Sequence, residues 1–236
     1  MRGIYCVLEG IEGSGKSSVL SAIAEKLKTE YPEINLVTTR HPGATSLGAH
    51  LRKLVKYPEQ IDPNIQLDAL SRQLCMVMDA SAFTNQVLNP AIDLGSLVIA
   101  DRSNFISSIA YGKADGLDLA TISTMFSLVK PIPTDRLYVL QCPWEFAKNR
   151  MLKQNGGDRI GLDYFERKGP EFFETLQDVY DNLISGPPDL VSAVCQSVRL
   201  HNIKYVDATQ SLPDIRDEII EDIVKLFDKK KKQYDE

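Results

Sequence analysis

Three glycines, a lysine and a serine crowd into LEGIEGSGKSSVL, residues 8 to 20, with the spacing Gly10-x-x-x-x-Gly15-Lys16-Ser17. That spacing suits a loop that cradles phosphate. Gly10, Gly13 and Gly15 let successive amides curl round an anion, and a helix opening at Lys16 adds the positive end of its dipole. Lys16 then reaches the outer phosphates of a nucleotide triphosphate, and the Ser17 hydroxyl serves as a magnesium ligand. The expected triphosphate cradle runs from Gly10 through Ile11, Glu12, Gly13, Ser14, Gly15 and Lys16 to Ser17 and Ser18. Glu12 is the anomaly, because a carboxylate in a phosphate cradle repels the ligand unless it faces some other group.

Two further clusters carry chemistry. Thr38-Thr39-Arg40-His41-Pro42-Gly43 and Asp101-Arg102-Ser103 each set an arginine just beyond a β-rich run. Arg40 and Arg102, converging from neighbouring strand ends, would make a fork for a phosphate monoester. Asp101 is placed to hold the waters of a magnesium shell. The plainer alternative, a surface Asp101–Arg102 ion pair, leaves the agreement of two strand ends unexplained. Between Met151 and Glu166 lies MLKQNGGDRIGLDYFE, a Gly-Gly hinge followed by Arg159, which predicts a lid that brings positive charge over a transferring phosphoryl group.

These groups need elements to hold them. Ile4–Val7 reads as a buried strand, and Val19, Leu20, Ile23, Ala24 and Leu27 recur at helical spacing, so the glycine-rich loop joins a strand to a helix. Further short β-rich runs fall at Ile34–Val37, Leu97–Ala100, Leu137–Leu140 and Ile203–Val206. Helical patterns occupy about 45–55, 64–93, 117–128, 144–154, 170–185 and 213–230. Apolar strands alternating with helices predict a parallel sheet covered on both faces, with ligands gathered at the carboxyl ends of the strands.

With 236 residues, 43% hydrophobic, and no linker-like stretch, the chain reads as a single domain over residues 1–236. A net charge of −5 lacks the positive field that nucleic-acid binding needs, and Lys229–Lys232 reads as a solvated helix end. No apolar run approaches a membrane span, and no signal peptide is read at the start. Cys6, Cys75, Cys142 and Cys195 show no paired spacing and read as reduced thiols of a cytoplasmic protein.

Taken in order, the blocks LEGIEGSGKSS, TTRHPGATSLGAHLR, NPAIDLGSLVIADR, SSIAYG, DRIGLDYFE and YVDATQSL resemble the thymidylate kinase family over most of the chain. The resemblance implies a three-layer α/β phosphate-loop kinase fold with a five-stranded parallel sheet flanked by helices. It also implies ATP and Mg2+ as cofactors, a homodimer, and transfer of the γ-phosphoryl group of ATP to dTMP. It assigns Glu12 to the sugar 3′-hydroxyl and Arg102 to the monophosphate, with Arg40, Pro42, Arg52 and Asp163 around them. Lys16, Arg102 and Arg159 become the catalytic cations, Arg159 lying in the lid as in bacterial members. Arg150 and Ala208 border the adenine, and Ser17 and Asp101 face the metal.

The chain also departs from the family. The positions of the thymine-stacking phenylalanine and the base-reading arginine fall on Met76 and Ala80, leaving Ser108 and Tyr111, with Arg72, as the nearest groups for a base edge. His41 replaces the usual acid. These departures keep open a kinase with broad or purine monophosphate specificity. A nucleotide-controlled switch protein is the reading from another class, and it lacks support: there is no Asn-Lys-x-Asp guanine reader, and a second arginine set has no use in a switch.

Overall fold

The computed structural model describes residues 2–129, 132–154 and 163–235. Five parallel strands, β1 (Ile4–Glu9), β2 (Leu36–Arg40), β3 (Leu97–Asp101), β4 (Arg136–Gln141) and β5 (Ile203–Asp207), pair in the order β2-β3-β1-β4-β5. β1 and the first four residues of β3 are buried throughout, as continuous apolar strands inside a sheet covered on both faces must be. The register does the positioning: Leu8 lies opposite Asp101, and Asp101 opposite Arg40. The residues following these three strands therefore emerge side by side at one edge, where the chain order reverses about β1.

Around the sheet lie α1 (Lys16–Glu30), α2 (Ser46–Lys56), α3 (Ala69–Phe83), α4 (Asn89–Asp93), α5 (Asn104–Ala114), α6 (Leu119–Ser127), α7 (Trp144–Gln154), α8 (Pro170–Asp181), α9 (Pro188–Val194) and α10 (Leu212–Asp235). α1 packs along α10, and α5 packs between α3 and α8. Among the described residues, no helix is long and apolar enough to cross a membrane.

The structure corrects several sequence expectations. The second strand starts at Leu36 rather than Ile34, because the Ile34 amide donates to Tyr31 O (3.0 Å) in a turn; Ile34 is apolar for the core, not for the sheet. The helix expected over 64–93 begins only at Ala69, where Asp68 caps it by accepting from Ser71 N (2.6 Å). It then passes through a wide π turn at Thr84–Leu88 into α4. α5 was not expected at all. Ser103 caps it at the amides of Phe105 and Ile106, yet it is buried almost all round, so its sequence carries no apolar–polar period. Residues 186–200, without an assigned role in the sequence, contain α9, whose Leu190, Ala193 and Val194 are buried against α5 and α6. The Gly-Gly hinge expected of a lid and Arg159 lie outside the described residues.

Candidate active site

The glycine-rich loop folds as its spacing requires. Gly10, Gly13 and Gly15 all have positive φ (136°, 78° and 95°), and a Cβ at Gly13 would stand 2.3 Å from Ala147 O. α1 begins at Lys16, so its unpaired amides and positive pole open onto the loop. The Lys16 ammonium is buried and donates to Gly10 O (3.0 Å), Ile11 O (2.8 Å) and Ser14 Oγ (3.3 Å). Burial first, then repulsion from Arg102, brings its pKa down to about 8, against the pull of Glu12, Asp101 and Glu9.

Glu12 does face another group. Its Oε2 lies 3.0 Å from Arg102 Nη2 and its Oε1 4.0 Å from Lys56 Nζ, and the Tyr111 hydroxyl donates to it at 3.3 Å. Burial alone would raise its pKa, but Arg102, Lys56 and Lys16 outweigh that and hold the carboxyl well below its ordinary range. Glu12 is thus an ionised acceptor at neutral pH.

Arg102 is held in an uncommon backbone conformation, φ +77° on a non-glycine residue, which costs of order 1 kcal/mol or more and persists only where the surroundings fix it. They do so through Glu9, whose role no motif in the sequence marks. This carboxylate at the end of β1 is wholly buried and accepts from Ser103 N (2.7 Å), Ser107 Oγ (2.8 Å) and Tyr180 OH (2.9 Å). Arg102 Nη1 donates to Gly10 O (3.1 Å) and stands 3.6 Å from Glu9 Oε2. The guanidinium is therefore aimed by both loop and strand. Burial raises the Glu9 pKa, with Arg102 and the three donors opposing the rise.

Ser17 Oγ donates to Asp101 Oδ2 at 2.6 Å, and Asp101 Oδ1 is buried without a partner. A hard cation wants two or so protein oxygens of this kind, with the rest of its shell from water and phosphate, so the donor set fits magnesium. Among the described residues there is no cluster of three or more His, Cys, Asp or Glu side chains that would hold a metal by itself.

Beyond Arg102 the positive charge continues. Arg52 Nη1 donates to Pro42 O (3.2 Å), and burial, then Arg40, then Arg102 depress its pKa. A dianionic phosphate set between Arg40, Arg52 and Arg102 would relieve that mutual repulsion. His41 turns away from this cluster. Its Nε2 is 2.9 Å from Asp79 Oδ2, and both side chains are buried, so the loop after β2 is tied to α3. Gly48 is required there because a Cβ would stand 2.0 Å from Asp79 Oδ1.

All of this opens on one cleft of about 990 Å³, which runs from the glycine-rich loop past Asp101 and Arg102 to α3 and Tyr111. Most expected site residues line it: Glu12 to Ser18, Arg40, Pro42, Arg52, Met76, Asp101, Arg102, Ser108, Tyr111 and Arg150. Others do not. Gly10 and Ile11 lie beneath it and serve through their carbonyls to Lys16. Ala80, one turn beyond Met76 on the same face of α3, is wholly buried in the core and does not line the cleft, because that face passes from the cleft into the core within one turn. Asp163 is also wholly buried. It accepts from Phe165 N (2.8 Å) and Glu166 N (3.0 Å) and pairs with Lys56 Nζ (2.5 Å), so it touches the site only through Lys56. Ala208 is buried too, and its carbonyl accepts from Arg150 Nη1 (3.2 Å), which ties the end of β5 to the loop near Ser14.

The wall formed by α3 carries Met76 and Arg72, both expected there, and Gln73, which was not. Arg72 is not a free base reader: it donates to Val55 O (3.0 Å) and Leu67 O (2.6 Å), and its guanidinium lies 3.4 Å from the centroid of Tyr164. Gln73, Lys56 and Phe165 line the same cleft, and nothing in their local sequence marks them.

Residues 8–219 match the family model described as thymidylate kinase. A thymidylate kinase of Legionella pneumophila (strain Corby) is 30% identical over 221 residues, 93% of each chain. One of Halothermothrix orenii is 33% identical over 189 residues, 78% of this chain and 84% of the relative. Among solved structures, thymidylate kinase from Ehrlichia chaffeensis superposes with a TM-score of 0.63 at 20% identity, covering 94% of this chain and 99% of that one, a likeness of fold.

Proposed function

The chain belongs to the thymidylate kinase family, whose members are ATP-dependent phosphotransferases, and from that premise we propose that it transfers the γ-phosphoryl group of ATP to dTMP, giving dTDP and ADP. The observation that carries the reading is the joining of two anion sites in one cleft: the glycine-rich loop with Lys16 on one side, and the arginine set Arg40, Arg52 and Arg102 on the other. A phosphate oxygen of dTMP attacks the γ-phosphorus, and the bond to the bridging oxygen of the β-phosphate breaks in line. Lys16 leaves its loop carbonyls for the β- and γ-phosphates and offsets the charge that moves between them. Arg102, aimed by Glu9, holds the acceptor phosphate. Ser17 and Asp101 would hold magnesium, which supplies further positive charge to the phosphates. Arg150 and Ala208 border the adenine.

Glu12, kept ionised beside Arg102, accepts the 3′-hydroxyl of the deoxyribose. This is why an acid is compatible with a phosphate cradle: it faces the sugar and is neutralised by Arg102 and Lys56.

ADP release measured with ATP and each common deoxynucleoside monophosphate tests the proposal. dTMP should turn over fastest, and a 3′-deoxy analogue should lose roughly 1–3 kcal/mol in kcat/KM by leaving Glu12 unpaired. Absence of dTMP turnover would sink the reading. Equal use of the 3′-deoxy analogue would remove the role of Glu12.

We further propose a homodimer built through α3. Leu70, Leu74 and Met78 follow one another at helical spacing and are 44%, 50% and 50% exposed, an apolar stripe on the face opposite the cleft. Sedimentation should give a dimer, and Leu74→Glu should give a monomer; a wild-type monomer at micromolar concentration rules the stripe out. The four cysteines form no disulfide, which suits a reducing compartment such as the cytoplasm.

A further inference from the structure

Gln73, like Asp101, is a cleft residue with a buried side-chain oxygen that has no hydrogen-bond partner. It is 5% exposed on the inward face of α3 and lines the cleft beside Met76 and Ser108. Its Nε2 faces Ser108 O at 3.4 Å, while Oε1 is buried without a partner. The assignment of nitrogen and oxygen is fixed by chemistry: a backbone carbonyl only accepts, so the amide nitrogen must face Ser108, and Oε1 is the acceptor left without a partner. An unpaired buried amide oxygen is costly and calls for a hydrogen-bond donor from whatever fills the site.

Its surroundings say where such a donor would come from. The phosphate end of the cleft is marked by Arg102, and the sugar by Glu12. Beyond them lie Tyr111, Met76 and Phe165, apolar surfaces suited to the faces of a flat ring. Gly112 leaves room for the amide, since a Cβ there would stand 3.0 Å from Gln73 Nε2.

Resting on the reading of this cleft as a dTMP site, we propose that Gln73 is a specificity-determining residue whose Oε1 accepts the N3–H of the pyrimidine. Thymine and uracil carry that hydrogen. Cytosine presents a bare ring nitrogen at the same place and sets two acceptors against each other. The role that Met76 and Ala80 do not fill is thus taken by a neighbour one turn earlier on α3, held in place by the Ser108 carbonyl.

The test compares kcat/KM for dTMP and dCMP in the wild type, Gln73→Met and Gln73→Glu. Gln73→Met keeps the volume and removes the acceptor, so it should lower kcat/KM for dTMP about tenfold or more and raise that for dCMP, whose bare ring nitrogen no longer meets an acceptor, collapsing the ratio between them. Gln73→Glu, protonated on the oxygen facing Ser108, retains an acceptor and should recover part of that ratio. Equal loss on both substrates, or no loss, overturns the proposal and assigns Gln73 to packing. Should neither variant fold, the wild type decides. 5-Fluoro-dUMP, whose N3–H ionises more readily, should lose kcat/KM at a lower pH than dUMP, and coincident profiles overturn the proposal. Failure of the wild type to use dTMP at all instead overturns the reading of the site.

Discussion

Lys16→Ala should abolish phosphoryl transfer while the far-ultraviolet circular dichroism stays that of the wild type. The ammonium gives its hydrogen bonds to Gly10 O, Ile11 O and Ser14 Oγ, all within the loop, and none to the sheet. Its removal loosens the loop and leaves the core strands alone. The catalytic loss is larger, because a preorganised charge near the outer phosphates contributes roughly 3 kcal/mol or more, above a hundredfold in turnover. Retention of more than about a tenth of wild-type turnover would contradict the assignment of the loop.

The same residue predicts a pH dependence. With its pKa brought down to about 8 by burial and Arg102, Lys16 loses its charge in the free enzyme as pH rises through that value. Since kcat/KM reports the free enzyme, it should fall above pH of about 8, whereas bound phosphates hold the proton and kcat should persist to higher pH. A kcat/KM that stays flat to pH of about 10 would exclude Lys16 as the charge that matters.

Arg159→Ala should lower kcat by roughly 10²–10⁴ with little change in KM, the signature of a cation that meets the phosphoryl group only in the transition state. Arg159 lies outside the described residues, so the expectation comes from the sequence and from the cations the described residues supply. Between Gly10 and Ser18 the loop supplies Lys16 as its one cation. Of the described arginines lining the cleft, Arg40, Arg52 and Arg102 stand at the proposed acceptor site, while Arg150 is engaged by the carbonyls of Ser14 (3.4 Å) and Ala208 (3.2 Å). C-terminal to Arg159, Asp163 pairs with Lys56 and Arg167 with Glu59 (3.0 Å). A transferring group with three charged oxygens needs a further donor on the ATP side, and DRIG is where the sequence offers one. Stopped-flow measurement of a single turnover separates the outcomes: raised KM with unchanged kcat would make Arg159 a residue that only holds ATP.

Much of this site was legible in the sequence, for local reasons. A phosphate loop needs glycines at fixed offsets and a strand and helix on either side, and all of that sits within about twenty-five consecutive residues. Arg40, Asp101 and Arg102 were found because apolar runs end just before them, and parallel strands place such ends together. The second strand was misplaced by two residues because an apolar side chain reports burial and not hydrogen bonding: Ile34 is buried from a turn. α5 escaped because a helix buried all round has no period to detect.

What the sequence determined by itself was the alternation of strand and helix, the anion cradle, and the arginines at the strand ends, since each depends on neighbours in the chain. What only the tertiary structure decided was the partner of every buried polar group. Glu9 is satisfied by Ser103, Ser107 and Tyr180, His41 by Asp79, and Asp163 by Lys56, while Gln73 Oε1 is left without a partner. Those pairings join residues that are mostly tens of positions apart or more. A buried charge or amide demands some partner but does not specify which element supplies it, and only the packing of α2, α3, α5 and α8 over the strand ends makes that choice.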